Sequence, residues 1–148
     1  SSPMYSNVEI VDLSSNLAKE GSVDAVITFR NLHNWLGPQM DSIFANSFKA
    51  LRPGGIFGVV EHRANPGTSM EEMKKSGYVT EEHAIKVAKK HGFTLVSKSE
   101  INANNKDTKN HPKGVWTLPP NLRLKDVEKE KYIAIGESDR MTLLFKKL

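Results

Sequence analysis

Apolar runs alternate with amphipathic stretches along the chain, and this alternation predicts an α/β fold. Nearly continuous apolar runs are typical of buried strands, and apolar residues three and four positions apart are typical of helices. The runs predict strands at 8–13, Val23–Phe29, 56–60, 93–101 and 140–148. Helical spacing predicts helices at 39–51 and at 80–92, the second with Thr80 as its N-cap and His91 with Gly92 as its stop.

The connections between these elements are less regular. Pro53 followed by two glycines is expected to stop the first helix and turn the chain, 64–76 to form a loop or weak helix, and 132–135 a brief strand or loop. Segment 102–124 is long and rich in proline and asparagine, so we interpret it as an excursion near a functional site. The sequence thus predicts one domain over 1–148, with a mostly parallel sheet and an antiparallel final hairpin.

Composition narrows the function classes. The 148 residues are 38% hydrophobic and 26% charged, and the absence of cysteine excludes disulfides, thiolate metal sites and a cysteine nucleophile. The net charge is +4, but the lysines are dispersed among glutamates, which favours a solvated surface over a nucleic-acid site. No apolar run approaches the roughly 18 residues of a membrane span, and we expect a cytoplasmic protein.

Polar side chains follow two of the predicted strands directly. After Phe29 come Arg30, Asn31, His33, Asn34 and Trp35, and after the strand at 56–60 come Glu61, His62 and Arg63. The carboxyl ends of parallel strands meet at the edge of a sheet where ligands bind. We therefore expect these two polar groups to form one rim. A histidine side chain, which changes its charge near physiological pH, is suited to act as a base there, and His33 is the candidate.

The order of these motifs resembles class I S-adenosylmethionine-dependent methyltransferases. The resemblance rests on a strand ending in Asp12, the stretch VDAVITFRNLHNW, a helix closing on LRPGG, the strand IFGVVEHR, the helix TEEHAIKVAKKHGF and a final hairpin. The closing GESDRMTLLFKK is similar to a subgroup of bacterial methyltransferases whose substrate is unknown. The resemblance implies a Rossmann-like fold, S-adenosylmethionine as cofactor and methyl transfer to a small-molecule acceptor.

The resemblance also implies roles for individual residues. Asp12 and Leu13 match the position where the family contacts adenine, and Arg30 lies in the motif beside the methyl donor. Asn31, Trp35 and Arg63 are candidates for substrate binding, Arg63 because its guanidinium can hold a carboxylate or phosphate. His33, Glu61 and His62 are the candidate catalytic residues.

Each assignment has a structural alternative. Asp12 can cap the turn that follows it through Ser14 or Ser15, and Trp35 can staple the next helix. Glu61 and Arg63 can form an ordinary ion pair at a strand end. A metal site built from the two histidines and Glu61 is not favoured, because no ligand pair has helical spacing, and we predict no metal. His111, Trp116, Asp139 and Arg140 receive no assigned role.

The resemblance does not extend to the start of the family's domain. The ten glycines never form a GxGxG turn, so the sequence predicts a fold that lacks the first one or two βα units, as in a truncated chain. A different class of function is therefore open as well: a non-catalytic interaction module, or a fragment that associates with itself through an exposed sheet edge. A nicotinamide-dependent oxidoreductase is disfavoured by the missing glycine-rich turn.

Overall fold

A four-stranded sheet forms the centre of the fold. The computed structural model describes residues 2–148. Its strands are β1 (Val23–Phe29), β2 (Leu51–His62), β3 (Thr94–Ser99) and β4 (Arg140–Lys146), in the order β1-β2-β4-β3. β1 and β2 are parallel, whereas β4 is antiparallel to both β2 and β3. The α/β class and the antiparallel final hairpin are confirmed, and the parallel part consists of one strand pair.

The helices are α1 (Pro38–Ala50), α2 (Met70–Ser76), α3 (Glu81–Lys90) and α4 (Lys129–Ile135). α1 and α3 follow their predicted positions closely. The Thr80 hydroxyl accepts a hydrogen bond from the His83 amide at 3.1 Å, so the predicted N-cap of α3 is confirmed. Two glutamates in the first turn of α3 add a favourable interaction with the helix dipole.

The hydrophobic core lies between the sheet and helices α1 and α3. Four phenylalanines stack at its centre with ring centroids 5.0–6.3 Å apart: Phe44, Phe57, Phe93 and Phe145. The opposite face of the sheet is not covered by any of the described residues. There Ile27 and Phe29 of β1 are 61% and 57% exposed. One face of the sheet is therefore buried and the other is open.

Several predicted boundaries are wrong. Segment 8–13 forms no strand and is fully exposed, because no other strand within residues 2–148 pairs with it. β2 begins at Leu51, directly after α1, because Leu51 pairs with Val23 and the glycines form a bulge inside the strand instead of a turn before it. Gly54 has φ +81° and donates its amide hydrogen to the carbonyl of Lys147, the residue that follows the antiparallel neighbour β4.

The connection between β3 and β4 also differs from the prediction. Residues 132–135 belong to helix α4, because Lys, Glu and Ala favour helix and Tyr132 supplies one buried position. The second half of 64–76 forms α2, as one of the two predicted alternatives allowed. None of the helices in residues 2–148 has the length and apolarity that crossing a membrane requires.

Candidate functional site

A pocket lies at the carboxyl ends of β1 and β2. Its cavity measures about 320 Å³. Its lining comes from the turn after β1, the end of β2, the loop after β3 and the start of β4: Phe29, Arg30, Asn31, His33, His62, Val115, Trp116, Pro119, Pro120, Asn121, Ser138 and Arg140. The structure thus brings together the two polar groups that the sequence placed on one rim, and adds the long loop to them.

The turn after β1 positions His33. Arg30 adopts a left-handed conformation with φ +56°, which is uncommon for a residue with a side chain, and its amide donates to the Val60 carbonyl at 2.7 Å. The chain then enters a single 3₁₀ turn, Leu32–Asn34, whose Leu32 is fully buried. This anchored leucine fixes the next residue, His33, over the end of β2.

Glu61 holds His33 from behind the pocket. Its side chain is 0% exposed, and its two oxygens accept backbone hydrogen bonds from His33 at 2.9 Å and from His62 at 2.8 Å. The His33 Nδ1–H donates to both carboxylate oxygens, at 3.0 and 3.1 Å. With the proton on Nδ1, the Nε2 atom of His33 carries a lone pair and has no hydrogen-bond partner among residues 2–148. The arrangement is a carboxylate–imidazole dyad.

His62 has different hydrogen-bond partners from His33. Its Nδ1 is hydrogen-bonded to Ser138 Oγ, and Arg140 Nε donates to the same oxygen at 3.2 Å. The hydroxyl hydrogen of Ser138 points to Nδ1 when the proton of neutral His62 lies on Nε2, and Nδ1 donates to the same oxygen in the other tautomer. Burial, followed by the nearby charges of His33, Arg140 and Arg30, lowers the pKa of His62 to about 3. His62 is therefore a neutral imidazole at physiological pH.

Two residues without an assigned role complete the pocket. Trp116, in the loop after β3, meets the ring of His33 edge-on with centroids 5.9 Å apart, and the Arg123 guanidinium stacks on its other side at 4.9 Å. Arg140 is the first residue of β4 and pairs with His62 in the sheet register. Because β4 runs antiparallel to β2, the first residue of β4 lies beside the last residue of β2. A predicted antiparallel final strand that begins at position 140 would therefore have placed Arg140 at this end of the sheet.

A buried hydrogen-bond cluster fixes the long loop. Asp107 accepts hydrogen bonds from the Tyr78 hydroxyl at 2.9 Å and from His111 Nε2 at 2.7 Å. It also accepts the backbone N–H of Asp139 at 2.9 Å, which ties the loop to the start of β4. Burial and then the Asp107 carboxylate raise the pKa of Tyr78 well above its usual range. The predicted excursion of 102–124 towards the site is therefore a tethered wall of the pocket.

Arg63 does not line this pocket. Its guanidinium donates to Asp139 at 2.9 and 3.0 Å, to Glu81 at 2.9 Å and to Glu100 at 2.8 and 2.9 Å. These hydrogen bonds raise the pKa of Arg63, and with Lys109 they hold the pKa of Asp139 at about 2 although burial acts in the opposite direction. The expected anion-binding role of Arg63 is corrected, since all its donors are already occupied. The suggested Glu61–Arg63 ion pair does not form either.

Three further candidates also lie away from the pocket lining. The exposed Asp12 accepts hydrogen bonds from the Ser14 amide and hydroxyl at 2.7 and 2.6 Å, so the turn-capping alternative is realised, and Leu13 follows it in the same exposed turn. Trp35 packs against the hydrophobic core, and its carbonyl accepts from the Met40 amide at 2.8 Å at the start of α1. These contacts match the structural alternatives given for Asp12 and Trp35.

The two histidines and Glu61 also form a geometric metal candidate. Their ligand-type atoms all lie within 4.8 Å of one another. However, His33 Nδ1 and the Glu61 carboxylate already satisfy each other, and two arginines line the same pocket. A cation would meet this positive charge, so the arrangement favours the hydrogen-bonded dyad over a metal centre.

Solved structures show what this fold is similar to. The chain aligns over 94% of its length with the cyclase SpnF (TM-score 0.61, 15% identity) and over 95% with geranyl diphosphate C-methyltransferase from Streptomyces coelicolor A3(2) (TM-score 0.60, 11% identity). An S-adenosylmethionine-dependent methyltransferase from Mesorhizobium loti aligns over 93% of the chain (TM-score 0.53, 14% identity). The chain has the class I methyltransferase fold.

This fold does not by itself assign an activity, since identities of 11–15% show the architecture alone and a cyclase shares it. The class I methyltransferase fold is present here in part: the chain spans 56% of SpnF, 52% of the Streptomyces enzyme and 68% of the Mesorhizobium enzyme. No protein-family profile and no curated protein matches the sequence.

Proposed function

We propose that this chain is the substrate-side part of a methyltransferase that moves a methyl group from S-adenosylmethionine to a small-molecule acceptor. The observation that carries the proposal is the His33–Glu61 dyad, which faces the pocket at the carboxyl ends of the two parallel strands of this fold. A lone histidine at that edge would be a weak argument. A histidine whose tautomer is set by a fully buried carboxylate is typical of a base.

The residues present fit one part of the cofactor. Arg30 offers a positive charge that can bind the carboxylate of the cofactor or an anionic group of the acceptor. Asp12 and Leu13, expected at the adenine, do not line the pocket, and none of the ten glycines forms the GxGxG turn. We therefore expect the 148-residue chain to bind the cofactor weakly by itself.

The chain's own residues would align the acceptor and remove its proton. The cofactor supplies an electrophilic methyl group, whose bonding electrons stay with its sulfur when the acceptor atom forms the new bond. His33 Nε2 accepts the proton that the acceptor atom loses, and Glu61 stabilises the imidazolium that results. His62, a neutral imidazole, orients the acceptor instead of acting as a second base. Glu61 is a positioning residue, because it touches only the two histidines.

Calorimetry with S-adenosylhomocysteine tests the proposal on this chain and on the full-length gene product. We expect binding by the full-length protein, and His33→Gln is expected to leave that binding intact. The same variant should lower S-adenosylhomocysteine production from S-adenosylmethionine, with a small-molecule cell extract as the source of acceptor, by about 100-fold or more. His83→Gln, at the start of α3 and outside the pocket, is the matched control. Absence of cofactor binding by the full-length protein would refute the proposal.

The open face of the sheet supports a second candidate function, association of the chain with a second copy of itself. A groove of about 380 Å³ on that face is lined mainly by apolar side chains, among them Ile27 and Phe29. β1 is also the terminal strand of the sheet, so within residues 2–148 its outer edge is unpaired. An uncovered apolar face beside a free edge is a favourable surface for self-association.

Sedimentation velocity distinguishes this candidate. The chain should sediment as a dimer, and Ile27→Glu should shift it to a monomer. Val127→Glu, at an equally exposed apolar position in the loop before α4, should leave the dimer unchanged. A wild-type chain that stays monomeric at high micromolar concentration rules out the second candidate.

A further inference from the structure

Among residues 2–148, the pocket described above is lined by two arginines and by no acid, and the one acid that pairs with either of them, Glu137, is half exposed. The two arginines are Arg30 and Arg140. Glu61 lies behind His33, where its oxygens are taken up by the two histidines. A site of this composition attracts an anion, because opposite charges interact strongly in a partly desolvated cavity.

Arg140 is held with part of its guanidinium free. Its side chain is 15% exposed, its Nε donates to Ser138 Oγ at 3.2 Å, and its Nη1 reaches Glu137 at 3.3 Å. Nη2 has no hydrogen-bond partner within residues 2–148. A guanidinium fixed through Nε and Nη1 with a free Nη2 is preorganised to bind an oxyanion, since little side-chain entropy remains to be lost.

Arg30 contributes a second cation from the opposite strand end. Its side chain makes no hydrogen bond to any described residue, while its backbone is held in the left-handed region at the rim. Such a conformation persists only where the surrounding structure supports it, and it is frequent at functional sites. His62 adds a neutral imidazole, and Asn31 and Asn121 add side-chain amides.

Arg63 supplies the contrast within the same chain. It lies next to His62 in sequence, yet its five donors are used by three carboxylates. The sequence suggested Arg63 as the residue that binds an acid group, but in the fold it is Arg140 that has a free donor for one.

We propose that the acceptor is an anionic small molecule whose acid group, a carboxylate or a phosphate, binds between the guanidinium groups of Arg140 and Arg30. The claim that the bound molecule is the methyl acceptor rests on the proposed function. The claim that the pocket binds an anion rests on the pocket alone. In this arrangement the rest of the acceptor extends towards His33, so the acid group anchors the molecule and the dyad faces the atom that loses its proton.

Anion titrations test the proposal without knowledge of the acceptor. The probes are sodium acetate and inorganic phosphate, added to the 148-residue chain at constant ionic strength with sodium chloride as the balancing salt. The readout is the imidazole carbon–proton NMR signals of His33 and His62, assigned with His33→Gln and His62→Asn. We expect saturable shifts with a dissociation constant of about 1 mM, and tighter binding of whichever acid class the acceptor carries.

Three arginine variants give the result its specificity. Arg140→Gln and Arg30→Gln should each weaken anion binding about tenfold, and Arg140→Lys should restore only part of the loss, because an ammonium lacks the guanidinium fork. Arg52→Gln is the matched control. It removes the same charge from an exposed pair with Asp24 near the start of β2, away from the pocket. Circular dichroism verifies that each variant is folded, and Arg140→Lys keeps the test decisive if Arg140→Gln does not fold.

Several results would overturn the proposal. Shifts that rise linearly with anion concentration, or equal weakening by Arg52→Gln and Arg140→Gln, would mean nonspecific screening. In the full-length protein, if Arg140→Gln weakens S-adenosylhomocysteine binding as much as phosphate or acetate binding, the acid group is the cofactor's own. The two proposals can fail separately. Anion binding without S-adenosylhomocysteine binding by the full-length protein would refute the methyltransferase assignment alone. S-adenosylhomocysteine binding without anion binding would refute the anionic acceptor alone.

Discussion

Lowering the pH from 7 to 5 is expected to destabilise this protein through one buried histidine, His62. Burial, together with the charges of His33, Arg140 and Arg30, lowers its pKa from 6.5 to about 3 in the folded protein. The unfolded chain therefore binds a proton at His62 between about pH 6.5 and pH 3, where the folded protein does not. Since the unfolded state binds more protons, stability falls as the pH falls.

The size of the effect follows from the two pKa values. The full difference between them corresponds to about 5 kcal/mol, of which about 2 kcal/mol is lost between pH 7 and pH 5. The titration of Asp139 lies outside this pH range. Its pKa of about 2, lowered from 3.8, contributes stability that is present above pH 4 and is lost only as the pH falls further.

Urea unfolding at pH 7, 6 and 5 measures the effect, with His62→Asn as the comparison. The asparagine amide can take over the hydrogen bond to Ser138, but it does not titrate. We expect the wild type to lose about 2 kcal/mol more free energy of unfolding than the variant between pH 7 and pH 5. Parallel losses in the two proteins would refute the argument that His62 is neutral because it is buried among positive charges.

Four substitutions test other parts of the fold by their free energy of unfolding in urea. Arg63→Gln removes the hydrogen-bonded ion pairs to Asp139, Glu81 and Glu100, although Asp139 keeps Lys109 and Glu81 keeps Lys98, and should destabilise by about 2 kcal/mol. Gly114→Ala should cost about 3 kcal/mol, because a Cβ there meets the backbone of Ser76 at a φ of +60°, whereas Gly67→Ala, at φ +81° in open space, should cost about 1 kcal/mol. Thr28→Val should stabilise by about 1 kcal/mol, since its hydroxyl is buried without a hydrogen-bond partner.

Each of these expectations has a clear opposite result. An Arg63→Gln protein as stable as wild type would mean that the surrounding carboxylates are screened by solvent. Equal effects of the two glycine substitutions would show that the close approach at Gly114 relaxes without cost. A destabilising Thr28→Val would indicate that its hydroxyl does find a partner, such as a bound water molecule.

Local patterns identified the elements whose signals are short-range. The apolar run of β1, the helical spacing of α1 and the Thr80 cap of α3 each depend on residues within one or two turns of each other, and each lies where it was predicted. The rim was predictable for the same reason. Chain direction alone places the residues after β1 and β2 at one end of the sheet, which brought His33 next to His62 and Glu61.

The errors occur where a partner distant in sequence decides the outcome. Segment 8–13 has a strand's composition but no neighbouring strand within the described residues, and a strand without a ladder is not stable. The glycines after α1 form a bulge against β1 inside the strand, and their backbone is hydrogen-bonded to Lys147, which is far away in the sequence. The sequence predicted that Arg63 binds an anion, but in the folded structure Glu81, Glu100 and Asp139 surround its guanidinium.

The sequence by itself determined the alternation of strands and helices, and the edge of the sheet at which the polar residues after β1 and β2 meet. The tertiary structure decided which charges are free. It buried Glu61 behind His33, gave His62 a lowered pKa, occupied every donor of Arg63 and left Arg30 and Arg140 facing an otherwise uncharged cavity. The physical reason is that a side chain's charge and hydrogen-bonding capacity depend on partners that chain folding brings from far away, whereas its backbone conformation depends largely on its neighbours.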